Sequence, residues 1–304
     1  MARKRPHPLE PLRRFDYTLV GPKLEGLFVN IDRDLQRRVN QALAAGDADA
    51  DRCLVLLNMM LRFAWNSYKA VIFIAGQNPE IPERKSSYAL VVPNINRQLL
   101  DMLFSLAYML DDFRVRSMNY QRAGWRELRE EYQQFSNHFG KTEEWKEHLE
   151  QLKKTAEDMA DRYNVTVQEQ RNPKLVRYWP TPYQMLEEKT ACADFLKYLE
   201  MWIYRDTSTQ THLGHAGIVK AANHLIADLV GDIATPEIQD RAEKMYHFTQ
   251  FSRTAMTFLA IATEIDTYCH FGNHAQIDYI WVVFGAHAPE AKEMYEIRYQ
   301  NRQR

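Results

Sequence analysis

The sequence predicts an all-α fold: a helical bundle with a projecting antiparallel coiled-coil hairpin and a C-terminal helical extension. Three observations predict it. Apolar residues recur three or four positions apart through nearly every hydrophobic stretch, the spacing of one helix face. Hydrophobic residues make up 45% of the 304, yet only 11 are glycine, fewer than a strand-and-turn fold of this size needs. Glycine and proline fall mainly at the ends of the periodic stretches.

Taken in order, residues 1–22 read as a basic, proline-punctuated arm carrying Arg3, Lys4, Arg5, Arg13 and Arg14. Residues 23–45 form a polar amphipathic helix that stops near Gly46. Asp47, Asp49 and Asp51 precede the next helix, where carboxylates cap free N–H groups and suit the dipole. Leu54, Leu57, Leu61, Ala64, Tyr68 and Val71 make one face of that helix, and Gly76, Pro79 and Pro82 end it. The following helix runs past Pro93 with Ile95, Leu99, Leu103, Leu106, Leu110 and Phe113 on its buried side. Residues 23–116 are thus the first part of the bundle.

Residues 117–164 differ in kind. Trp125, Leu128, Tyr132, Phe135 and Phe139 form a narrow stripe, as do Trp145, Leu149, Leu152, Ala156, Met159 and Tyr163, with Gly140 between. Nearly everything else there is charged or polar. Two thin stripes around a glycine stop describe the hairpin. Residues 165–230 complete the bundle: a loop around Asn172, Pro173, Pro180 and Pro182, then helices at about 183–204 and 208–230. Residues 231–304 are the C-terminal extension. Its long helix lies between Pro236 and Gly272, and Arg298, Arg302 and Arg304 read as a solvated basic end.

The net charge of −1 argues against a general polyanion trap. Cys53, Cys192 and Cys269 are few, odd in number and far apart, which suits a reducing compartment. No apolar run approaches the ~18 residues of a membrane span, and the basic start lacks the apolar core of a signal peptide. The expectation is a cytoplasmic chain with no membrane partner. Signatures of phosphate loops, zinc proteases, serine hydrolases and di-iron bundles are absent. His270 and His274 are four apart, but Gly272 between them breaks the shared face. His212 and His215 have no nearby carboxylate or cysteine to complete a metal shell. No metal and no cofactor is expected.

What remains is the run from Tyr204 to His212. Six consecutive polar residues, three of them threonine, are poor helix interior, and Gly214, Gly217, Ala221 and Ala222 after them would let another helix approach closely. On a helix, Arg205 and His212 share a face about 10 Å apart, with Ser208 and Thr209 between them. An imidazole near neutral pKa can take and return the proton of an RNA 2′-hydroxyl, and a guanidinium stabilises charge on the phosphoryl oxygens. Asp206 can orient one of the two, and Ser208 or Thr209 can donate to phosphate. The plain structural reading gives Arg205 an ion pair with Glu200 or with an acid of a neighbouring helix. It bonds His212 to Ser208 or Thr209. A second pair at similar spacing, Arg241 and His247, reads as structural.

Arg205, the polar Asp206 directly after it, and His212 six residues further on resemble the Arg–His motif of the HEPN superfamily of nucleotide-binding helical proteins. Residues 176–230 resemble an uncharacterised bacterial branch of it in the Tyr-Arg-x-x-Ser-x-x-x-His run. In that branch an earlier helix carries an arginine and an acid four apart, matched by Arg97 and Asp101; the plain reading of these is a helix ion pair. The resemblance implies a bundle that dimerises, bringing two Arg–His pairs into one cleft. It also implies a metal-independent RNase acting on RNA, often a toxin or antiviral effector held by an antitoxin or regulatory protein. The alternative is a non-catalytic interaction module whose hairpin and aromatic C-terminus (Tyr268, Phe271, Tyr279, Trp281 and Phe284) bind a protein or nucleotide partner.

Overall fold

A computed structural model describes residues 17–75, 91–211 and 236–300, and every regular element among them is helical. The chain divides into two compact units, Met1–Ala107 with Ala191–Arg304, and Tyr108–Thr190.

In the first unit, helix α1 (Tyr17–Ala44) begins six residues before the start expected at residue 23 and runs through Pro22. Proline lacks one backbone donor; the buried row Leu24, Leu27, Ile31 and Leu35 that follows holds the helix in place. The helix ends at Ala44, and Gly46 in the turn after it has a φ of +71° that suits glycine. Asp47 then accepts from the Ala50 N–H at 3.0 Å, capping α2 (Ala48–Ala75) as its position in the sequence predicts. The expected apolar face of α2 is present: Leu57, Leu61, Ala64, Tyr68 and Val71 are all buried. Trp65 stacks on Phe28 of α1 at 4.8 Å and meets Tyr68 and Phe258, tying the two helices to a third. The stop expected at Gly76, Pro79 and Pro82 lies outside the described residues.

That third helix, α10 (Pro236–Cys269), dominates the unit; between it and α3 (Val92–Leu110) the chain also forms α8 (Ala193–Leu199) and α9 (Arg205–Thr211). From Thr254 to Asp266 every residue of α10 is buried. Apolar side chains fill most of that surface, among them Phe258, Leu259, Ile261 and Ile265. The remaining side chains are polar, and each makes at least one hydrogen bond. Thr254 donates to Asn96 of α3 at 2.7 Å, and Asn96 donates to the Gln250 side chain at 3.0 Å. Thr263 accepts from the Trp281 indole at 3.1 Å. Glu264 takes two bonds from Arg298, at 2.8 and 3.1 Å. Trp281 belongs to α11 (His274–Gly285) and Arg298 to α12 (Pro289–Arg298). Arg298 is thus a core residue, not the basic surface end its sequence suggested, because a buried carboxylate needs a cation beside it. Trp281 and Phe284, which the alternative reading turns toward a partner, also lie in the core, whereas Tyr268 and Tyr279 are exposed.

Asp266 closes the buried run of α10. Asn273 donates to its Oδ1 at 2.7 Å, while Oδ2 has no hydrogen-bond partner and sits 3.8 Å from His274 Nδ1. Burial pushes its pKa up from the ordinary carboxylate value against the opposing pull of Asn273 and His274. His270 and Gly272 carry positive φ, so the helix is broken between His270 and His274, as the intervening glycine implied.

In the second unit, α4 (Phe113–Phe139) and α5 (Lys146–Arg162) pack together after the chain reverses. Gly140 is required at the reversal, since a Cβ there would collide with the Ser136 carbonyl oxygen. At that end Phe139 stacks on Trp145 at 4.2 Å, and Phe135 meets Trp145 edge-on. At the other end the Trp125 indole donates to the Ala156 carbonyl at 3.0 Å amid Ala160, Val165 and Val176. The chain continues through α6 (Val167–Arg171) and α7 (Pro182–Glu187), each opened by a threonine capping box, Thr166 with Glu169 and Thr181 with Gln184. Arg126 bonds Glu130 and the Val176 carbonyl and lies over the Tyr178 ring.

Two stability predictions follow from α10. Arg298→Met should cost about 3–5 kcal/mol by stranding Glu264, and adding Glu264→Met should recover most of that loss; urea unfolding followed by circular dichroism checks both. Asp266→Asn should raise the melting midpoint at pH 7 by about 2–4 °C for each kcal/mol relieved. A carboxyl with a raised folded-state pKa is penalised above that pKa. The gain should therefore shrink as pH falls through the raised pKa toward the ordinary range near about 4, read from melting curves against pH.

Candidate functional site

The segment from Ala193 to Thr211 is one continuous helical run, with no break at 204–208 of the kind its polar composition suggested. The threonines explain this. Thr207 donates to the Ile203 carbonyl at 2.6 Å, Thr209 to the Arg205 carbonyl at 2.8 Å, and Thr211 to the Ser208 carbonyl at 3.0 Å. Hydroxyls folded back on the preceding turn let such residues stay helical.

Between α8 and α9, residues Glu200–Tyr204 form a wide π-type turn. Residues five apart point about 140° away from each other on an α-helix, but the wider turn brings Glu200 and Arg205 together. The Arg205 backbone N–H donates to the Glu200 carbonyl, and its Nε donates to Glu200 Oε1 at 2.6 Å. The Glu200 side chain is 8% exposed and that of Arg205 68% exposed. A buried acid therefore anchors a guanidinium that reaches into solvent. This is the structural ion pair the sequence offered as the plain reading of Arg205.

The neighbouring helices supply the rest. Asp206 accepts from Arg253 of α10 at 2.5 Å. Arg97 of α3 pairs with Asp101 at 3.0 Å, donates through Nη2 to the Tyr204 hydroxyl, and lies over that ring at 3.5 Å. Its Nη1 is buried and has no hydrogen-bond partner. Tyr204 packs on Phe104 at 5.3 Å. Arg97 and Asp101 are thus brought to the residue directly before Arg205, and Asp206 is turned toward α10. Ser208 and Thr209 lie on the next turn and are half-buried. His212 lies outside the described residues, as do His215, Gly214, Gly217, Ala221 and Ala222. The side chains of Arg241 and His247 do too.

Sequence reasoning missed Tyr204 as the contact for Arg97 and Arg253 as the partner of Asp206. Both link residues more than 40 positions apart, and local spacing carries no trace of them. Glu200 was visible only as one option, because its approach to Arg205 depends on the π turn. The local charge is balanced: Arg97 with Asp101, Arg205 with Glu200, and Arg253 with Asp206. An anion meeting Arg205 would join a pair whose acid stays fixed in the core. Among the described residues no three His, Cys, Asp or Glu side chains gather closely enough to hold a metal ion, and no helix is long and apolar enough to cross a membrane.

Comparison of the chain with protein-family models, with curated proteins and with solved structures finds no match.

Replacing Arg205 by alanine should cost about 1–3 kcal/mol, because the buried Glu200 carboxylate then loses its charged donor. Arg205→Ala with Glu200→Gln should restore most of the loss. Thermal unfolding of the two variants reads this, and equal instability in both would show that the pair contributes little.

Proposed function

We propose that this chain is a metal-independent endoribonuclease of HEPN type, with Arg205 and His212 as its catalytic pair. The observation that supports the reading is the setting of Arg205. Its guanidinium is exposed, anchored by a buried carboxylate and followed by Asp206, on a helix whose described part ends at Thr211, one residue before His212. Continued helix would place the imidazole two turns along the same face, about 10 Å away, with Ser208 and Thr209 between.

In this reading the His212 imidazole takes the proton of an RNA 2′-hydroxyl as that oxygen attacks phosphorus. The bond from phosphorus to the 5′-oxygen breaks, and a proton returned to that oxygen releases a 5′-hydroxyl end. The other end keeps a 2′,3′-cyclic phosphate. Arg205 stabilises the charge that builds on the phosphoryl oxygens, and no step needs a metal. Asp206, held by Arg253, positions the helix against α10. Arg97 holds a second guanidinium against Tyr204, the residue directly before Arg205. The resemblance adds a homodimer that unites two such pairs, and a role as a toxin or antiviral effector under an antitoxin or regulatory partner.

One observation favours the second reading, a non-catalytic helical interaction module: Arg97, Arg205 and Asp206 each have a partner of opposite charge inside the fold. The two readings separate on chemistry. Purified protein incubated with mixed RNA in EDTA should cut it and leave 2′,3′-cyclic phosphate ends. His212→Ala should slow cutting by about 100-fold or more without changing the melting curve. Arg205→Lys, which keeps a cation beside Glu200 but loses the planar fork, should also slow it. Equal cutting by all three proteins would mark a contaminant and remove the reading.

A further inference from the structure

Asp266 is tied to the far side of the corner at which α10 gives way to α11. Its main-chain carbonyl accepts from the Phe271 N–H at 3.3 Å, and its Oδ1 accepts from the Asn273 side chain at 2.7 Å. The chain turns there through His270 and Gly272, both at positive φ. The second carboxylate oxygen, Oδ2, is closed off from solvent and accepts no hydrogen bond. His274 Nδ1 stands 3.8 Å from it, just too far for one. The two side chains differ sharply in setting: that of Asp266 is 1% exposed and that of His274 60%. A buried acceptor without a donor is thus faced by a ring that exchanges protons freely with water.

The other charged and titratable groups nearby do not take that place. Asp34 of α1 is a like charge, itself paired with Arg37 at 2.9 Å, and it adds to the effect of burial on Asp266. Arg38 of α1 lies over the Phe271 ring at 4.7 Å, and its charge acts on the Cys269 thiol. Cys269 is buried and its pKa is pushed up to about 12, chiefly by that burial, so it brings no charge at neutral pH. On α10 Glu264 is bonded to Arg298, and on α11 Asp278 accepts from Tyr295.

We propose that Asp266 and His274 form a proton-operated clasp on the corner between α10 and α11. When the imidazole gains a proton, Nδ1 carries an N–H whatever tautomer the neutral ring had. That group then donates to Oδ2, and opposite charge strengthens the bond. When the proton leaves, the positive charge goes with it and the buried carboxylate keeps only Asn273. An imidazole gains and loses its proton between about pH 5 and 8, so the clasp works in the neutral range. The closed corner holds the extra proton, and opening is therefore favoured as pH rises. Burial and Asp34 act in the same sense, since both penalise the charged form of Asp266. Farther along α11, Gln276 donates to the Lys23 carbonyl at 3.2 Å and the Trp281 indole to Thr263 at 3.1 Å. Those bonds contain no titrating group, so the loosening is confined to the stretch from Asp266 to Ala275. The clasp does not depend on the ribonuclease reading.

Deuterium uptake by the full chain from about pH 5.5 to 8.5, corrected for the intrinsic pH dependence of exchange, tests it. Peptides spanning the corner should lose protection about 3- to 10-fold over that range, while peptides from α3 keep theirs. His274→Gln, which cannot gain the proton, should give low protection at every pH. His274→Arg, a cation throughout, should give high protection at every pH. Asp266→Asn should flatten the profile without lowering the melting midpoint, which separates loss of the clasp from a folding defect. A wild-type pH profile that persists in any of the three variants overturns the clasp, as does a wild-type corner whose protection does not change with pH. A parallel change in α3 would assign the effect to overall stability and overturn it too.

Discussion

The burial of α10 on every side is the constraint around which the first unit is built. A helix with one apolar stripe needs a neighbour on one face only; from Thr254 to Asp266 this one has no solvent face at all. Its polar groups must then be met inside the protein, since an unpaired buried donor or acceptor costs about as much as a good contact gains. Asn96 meets Thr254, Trp281 meets Thr263, Arg298 meets Glu264 and Asn273 meets Asp266. Those four partners come from α3, α11, α12 and the turn after α10. Each bond fixes how its element sits along α10, which apolar packing alone would leave free to slide.

The candidate site inherits that fixed frame. Arg253, on the turn just before the fully buried run, reaches Asp206 and so holds α9 in position. Asn96 is bonded to Gln250 one residue before Arg97 turns toward Tyr204, so the registry of α3 against α10 decides where Arg97 points. Within the α8–α9 run, the π turn does a related job. It leaves Phe195, Leu196, Leu199, Ile203 and Tyr204 buried while Glu200 still reaches an arginine five positions on. π-type turns are rare and occur often at functional sites, because they re-aim side chains without breaking the helix.

The helical class was legible in the sequence because spacing and composition act locally. The row Leu57, Leu61, Ala64, Tyr68 and Val71 and the capping aspartate Asp47 appear where the pattern puts them. Helix ends were less legible where a tertiary contact overrode local preference. Tyr17–Pro22 is helical because α1 is held by its buried row. The threonine run is helical because its hydroxyls turn inward. Arg298 shows the sharper limit: a basic residue seven from the chain end looks solvated until Glu264 is placed beside it. Of the candidate site, the residues of the Arg205 motif could be picked out by their chemistry. Arg253 and Tyr204 could not, since long-range packing alone gives them a place there.

Charge balance around Arg205 decides what kind of ligand the surface can favour. Long-range attraction for a polyanion needs unneutralised cations, and this chain carries a net charge of −1 with each arginine of the site beside an acid. A phosphate gains at Arg205 only at short range, where a planar fork can hold two oxygens while the buried Glu200 keeps its own bond. Binding strength must then come from uncharged contact. Three residues before Arg205 in the chain, Trp202 leaves 46% of its surface exposed, an uncharged face of that kind. A ligand of this surface would be oriented by charge and held by uncharged contact.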